Sequence, residues 1–89
     1  MSESNAQIQF EQSGTELTAV CITREQRSPV IASLQRALFA LGIVVSTYQA
    51  RPLAGRLMER VVLSRSDGSA IDGSLIDATK AVILPIALG

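Results

Sequence analysis

A strand-like run leading into a helix-like run occurs twice in this chain of 89 residues, and that repeat limits the fold more than any single motif. Leu17 to Arg24 precedes Pro29 to Gly42, and Leu57 to Ser66 precedes Asp72 to Leu84, with a further strand, Ile43 to Ala50, between them. Strand-helix-strand-strand-helix in one small domain predicts a split βαβ arrangement, in which both helices cover one face of an antiparallel sheet. The length fits a single domain with a single core, here residues 7–89, behind a loose, non-periodic start over residues 1–6.

The first of these strands is apolar on both sides. Leu17, Ala19, Cys21 and Thr23 share one face, while Thr18, Val20 and Ile22 share the other. A half-buried strand alternates between apolar and polar positions, so this pattern predicts that the second face also meets something, most economically a partner subunit. Composition points the same way. With 47% hydrophobic and 3% aromatic residues, the apolar surface is almost all Val, Ile, Leu and Ala. A domain of this size buries only about 60 to 65% of the surface of its unfolded chain. A sheet with more apolar surface than one helix layer covers is expected to self-associate.

Local signals place the remaining elements. Gln7 to Glu11 alternates, with Ile8 and Phe10 on one side, and Gln12-Ser13-Gly14-Thr15 supplies turn chemistry, so a hairpin is expected to add an edge strand beside Leu17 to Arg24. Ser28 is a cap and Pro29 a first-turn residue for a helix whose stripe is Ile31, Leu34, Leu38 and Leu41, and Gly42 stops it. Pro52 and Gly55 mark a hairpin tip, and Asp67-Gly68 a second turn. Asp72 is the cap candidate of a second helix with Leu75, Ile76, Thr79, Val82, Ile83 and Ile86 inward. Pro85 is expected to bend or stop that helix by Leu84, with the last residues either extended or helical after a kink. The fold class predicted is α+β, ferredoxin-like, with a βαββα core and an extra N-terminal edge strand.

Charge and reactive residues exclude more than they offer. Eight basic and eight acidic residues give no net field for nucleic acid or an anionic membrane. Arg51, Arg56, Arg60 and Arg65 fall in one stretch, which reads first as a solvated hairpin making weak surface pairs with Glu59 and Asp67, and otherwise as a local anion site. The single Cys21 is mid-strand and reads as core filling in a reducing compartment. Without histidine, and with no close acidic pair beyond Asp72 and Asp77, the chain offers no nucleophile and base, no metal set and no cofactor motif; it is not expected to be an enzyme. The central strands carry Val20, Ile22, Val61 and Leu63 where an RNA-binding sheet carries stacking aromatics. The polar start from Met1 to Asn5 lacks a secretory pattern, and the apolar run Ala81 to Leu88 is too short to span a bilayer, so a cytoplasmic location is expected.

Over residues 16–84 the chain resembles the ACT domain family, small regulatory domains attached to amino-acid-metabolic enzymes and also found alone. The resemblance rests on the strand ending Thr23-Arg24-Glu25-Gln26-Arg27-Ser28-Pro29-Val30-Ile31, on Leu41-Gly42-Ile43-Val44-Val45, and on Val61 to Gly68 leading into the second helix. It implies a non-catalytic domain that forms homodimers or larger assemblies and holds a small amino acid or carboxylate at the subunit interface. By position, the ligand-binding residues implied are Arg24, Glu25, Gln26, Arg27, Ser28 and Pro29, with Thr47, Tyr48 and Gln49 of the neighbouring chain completing the pocket. The family's acidic residue and glycine are replaced here by Gln26 and Pro29. Pro29 removes a donor and adds bulk where a ligand would press, and Glu25 is a displaced acidic candidate. The free N–H groups of the helix start, with Arg24 and Arg27 nearby, remain a pocket for an anion or carboxylate. The alternative is a ligand-free dimerisation module of the same fold. Tyr48, the lone tyrosine, is either a pocket or interface ring, or a strand residue packed on the sheet with its hydroxyl at the rim.

Overall fold

Alternating side chains and turn chemistry build the sheet from two hairpins. In a computed structural model, which describes residues 7–24 and 31–88, β1 (Gln7–Ser13) and β2 (Glu16–Arg24) pair antiparallel around the Gly14-Thr15 turn. The second hairpin joins β3 (Ile43–Leu53) to β4 (Arg56–Arg65) through Ala54 and Gly55, with φ of 51° and 81°. Positive φ at both central residues gives a two-residue turn whose twist matches that of the strands, and Ala54 sits there against the steric preference of a residue with a Cβ. The expected loose segment 1–6 and the helix start at Ser28 and Pro29 lie outside the described residues.

β4 pairs with both β2 and β3, giving a four-stranded antiparallel sheet in the order β1-β2-β4-β3. β2 and β3 therefore run the same way with β4 between them, and α1 (Ile31–Phe39) makes the crossover. After β4 the chain turns at Asp67-Gly68, where Asp67 accepts hydrogen bonds from the Ser69 N–H (2.9 Å) and hydroxyl (2.6 Å), and enters α2 (Gly73–Leu88). The segment between is tied to the first hairpin: Ile71 N–H donates to the Thr15 carbonyl at 3.1 Å, and Gln12 Nε2 donates to the Ile71 carbonyl at 2.8 Å.

Both helices lie on one face. α1 covers β3, α2 covers β1 and β2, and the helices touch each other. Leu34 and Leu38 of α1, Ile83 and Ala87 of α2, Leu17, Ala19 and Cys21 of β2, Ile43, Val61, Leu63 and Ile71 form one buried cluster. Full burial of a leucine or isoleucine contributes about 1.5–3 kcal/mol each, which is what holds so small a sheet under its helices. Lys80 lies 5.3 Å from the Phe10 ring centroid and fastens α2 to the edge strand β1. Gly42, with φ of 72°, ends the α1 segment as expected and accepts from the Ser66 N–H at 2.9 Å.

Of the two alternatives for the end of α2 the structure has the helical one, which runs through Pro85 to Leu88. Pro85 is on the exposed side, and the residues around it, Ile83 and Ala87, are fully buried, so tertiary burial keeps the turn that the proline weakens. Glu59 is not part of a solvated hairpin: it has 0% exposure and faces the helices, between Leu57 and Val61.

Candidate functional site

The covered face of the sheet is hydrocarbon at one end and polar at the other. At the polar end, alternation along β2 places Cys21 and Thr23 toward the helices, and pairing with β4 sets them opposite Glu59 and Leu57. Cys21, Thr23 and Glu59 are all buried. On β3 a bulge between Val45 and Thr47 leaves Ser46 without a pairing partner and reverses which residues face inward. Ile43 and Val45 point to the core before the bulge, and Tyr48 after it, beside Val61.

That reversal brings Tyr48 to Glu59. The tyrosine hydroxyl donates to Glu59 Oε2 at 2.7 Å, a short charge-assisted bond in a shielded setting. Burial, this hydrogen bond and the negative charge of the carboxylate push the Tyr48 pKa up from 10.0 to about 12. Next to them the hydroxyl of Thr23, at 1% exposure, has no hydrogen-bond partner among the described residues. Cys21 forms no disulfide and is fully buried, as expected of a core cysteine.

Among the described residues the opposite face of the sheet carries no helix. Its inner strands present Val20, Ile22 and Met58, partly exposed, with Thr18 and Val62 at 6% and 8% exposure, and Val44 and Leu53 beside them at 41% and 42%. Charges on this face are segregated. Glu11 and Glu16 occupy the β1-β2 corner, where Glu16 accepts from the Ser64 and Ser46 hydroxyls at 3.3 and 3.4 Å. Arg51 and Arg56 occupy the diagonally opposite corner, on β3 and β4, and Arg60 lies at the middle of the face, opposite Val20 and Gln49. A groove of about 380 Å³ runs there between Gln49, Arg51, Met58 and Arg60. The salt bridge among the described residues, Arg65 to Asp67 at 3.8 Å, lies outside this face and, with the Ser69 hydrogen bonds contributing more, holds the Asp67 carboxyl below its usual range.

The residues expected to bind a ligand are thus distributed as follows. Glu25, Gln26, Arg27, Ser28 and Pro29 lie outside the described residues, and Arg24 closes β2. Thr47, Tyr48 and Gln49 do not form one wall: Tyr48 faces the helices and Glu59 of its own chain, while Thr47 and Gln49 face the uncovered side. Sequence reasoning put Thr23 on the covered face but read Glu59 as solvated. The parity of Glu59 with Val61 and Leu63 was the available signal, and an acidic residue between Met58 and Arg60 reads as exposed when parity is not followed. Among the described residues no group of three or more His, Cys, Asp or Glu is arranged to hold a metal ion, and no helix is long and apolar enough to cross a membrane. Comparison with protein-family models, with curated proteins and with solved structures finds no match.

Proposed function

We propose that this chain is a non-catalytic, ACT-like regulatory module of ferredoxin-like fold that acts by pairing with a second copy of itself. One observation carries the reading: among the described residues no helix covers the sheet face opposite α1 and α2, and its inner strands carry Val20, Ile22, Met58 and Val62 around an exposed Arg60, with Val44 and Leu53 exposed beside them. Apolar side chains set around an arginine match the composition of a protein interface, where Arg is enriched, better than the clean polar alternation of a solvated sheet side. The ferredoxin-like assignment is supported by the crossover from β2 through α1 to β3 with β4 between, followed by α2. In that arrangement β1 fills the sheet position beside β2. Sedimentation equilibrium or light scattering is expected to give roughly twice the chain mass of 9.5 kDa at micromolar concentration. A mass that stays monomeric up to millimolar concentration overturns the proposal.

A second reading, in which the dimer also senses a small amino acid or carboxylate, is favoured by the polar end of the covered face, where the Thr23 hydroxyl, without a partner among the described residues, lies two residues along β2 from the position opposite Glu59 and just before residues 25–29 in the sequence. A ligand that binds one packing of the subunits better than another shifts the population toward it. Thermal-shift measurements across amino acids and small carboxylates are expected to show a stabilising ligand, and Arg27→Ala to abolish that response. A flat response across the set removes sensing and leaves pairing in place.

A further inference from the structure

We infer that two copies meet through their uncovered sheet faces in one specific orientation, with the acidic corner of each lying over the basic corner of the other. The inference rests on the pairing reading above and adds its geometry. Glu11 and Glu16 lie at the β1-β2 corner; Arg51 and Arg56 lie at the opposite corner on β3 and β4, while Arg60, opposite Val20 and Gln49, lies at the middle of the face and so close to a two-fold axis through it, where it belongs to neither corner. A two-fold axis lying in the interface and perpendicular to the line joining these corners superposes unlike charges twice, because an isologous interface repeats every contact. The same axis turned parallel to that line would set arginine on arginine and glutamate on glutamate. The diagonal placement therefore selects one orientation, and in it the strands of the two sheets cross obliquely.

Three features fit a second copy as the occupant. The face is self-complementary, carrying both signs in separate places rather than one sign throughout, as a nucleic-acid or acidic-peptide site would. None of Arg51, Arg56 and Arg60 has a carboxylate within 4.0 Å among the described residues, so their guanidinium groups are available for pairing. The groove between Gln49, Arg51, Met58 and Arg60 is a recess of about 380 Å³ on the basic side, large enough to admit a glutamate side chain from the partner. The partly exposed Val20, Ile22 and Met58, with the more exposed Val44 and Leu53, supply the attraction, and the corners supply the orientation.

Charge exchange tests this directly. One variant carries Glu11→Lys and Glu16→Lys; the other carries Arg51→Glu and Arg56→Glu. Each alone places like charges at both corners of its homodimer, and its dissociation constant is expected to rise about tenfold or more over the parent. An equimolar mixture restores unlike charges at both corners and is expected to recover association, seen as heterodimer by native mass spectrometry or by affinity-tag co-purification. If both variants pair as tightly as the parent, or fail to recover on mixing while each keeps its folded circular-dichroism spectrum, the orientation is wrong although self-association stands. If the parent is itself a monomer, the pairing reading fails first and this inference with it. A variant that does not fold leaves the parent's salt dependence to decide: dissociation should increase with ionic strength, and a dimer that tightens with salt is held by its apolar side chains alone, which overturns the charge pairing.

Discussion

The two ends of the covered face are built from the same pair of strands and do opposite things. At one end Leu17 pairs with Leu63, and Ile43 and Ile71 close over them, all at 0 to 1% exposure. At the other, Cys21 pairs with Glu59 and Thr23 with Leu57, and Tyr48 bonds to the carboxylate. Hydrocarbon burial at the first end stabilises without conditions. Burying a carboxylate and two hydroxyls at the second costs free energy unless every polar atom finds a partner, and Thr23 has none among the described residues. A domain with a narrow margin keeps such an end only where stability is not the sole requirement. Leu63→Ala, at the hydrocarbon end, is expected to remove about 3–5 kcal/mol, most or all of the stability of a domain this small, read as loss of the cooperative urea transition. A loss below about 1 kcal/mol would show that this end is not the principal core.

Removing Glu59 should be the largest single change at the polar end. Glu59→Ala leaves the half-buried Tyr48 hydroxyl without its acceptor and opens a space where a fully buried side chain stood, with an expected cost of about 1–3 kcal/mol, whereas Glu59→Gln keeps an acceptor and is expected to cost less. The same pair sets an alkaline limit. Because the folded chain holds the Tyr48 proton to about 12 and the unfolded chain releases it at 10.0, this contribution is complete below pH 10, then declines as pH rises through 12. The lone tyrosine makes this measurable by tyrosinate absorbance. The midpoint is expected near 12 in the parent and shifted toward 10 in Glu59→Gln, where the charge of the acceptor is gone; an unmoved midpoint would detach the shift from Glu59.

The hydrocarbon end was legible in the sequence and the polar end was not, for reasons that lie in particular residues. Period-two alternation assigned Leu17 and Ala19 to the covered face, with Cys21 and Thr23 further along it, and the spacing of Leu34 and Leu38 gave the stripe by which α1 joins the same core. The place of Tyr48 depends on a bulge at Ser46, an extra residue that changes the parity of β3 without any glycine or proline to announce it. Glu59 followed the parity of its strand, but its charge argued for the surface and local polarity was read before register. The local chemistry of Pro85 leaves the end of α2 open between helical and extended, and the burial of Ile83 and Ala87, a tertiary effect, decides for the helix. The uncovered face was anticipated from the apolar Val20 and Ile22; the diagonal separation of its charges required the pairing of all the strands.

The smallest expected effect separates the two ends most sharply. Thr23→Val removes a buried hydroxyl and keeps the side-chain shape. With no partner among the described residues to lose, the variant is expected to gain about 1 kcal/mol, which for a domain of this length raises the melting temperature by roughly 4–8 °C. The opposite sign would mean that the hydroxyl is satisfied in solution by something bound at the polar end, which strengthens the sensing reading. The two cases differ again in their response to small carboxylates. A stabilised variant with unchanged pairing and no thermal response in the parent would make the polar end a tolerated cost of the fold; a destabilised one, in a parent that does respond, would make Thr23 part of the recognition surface.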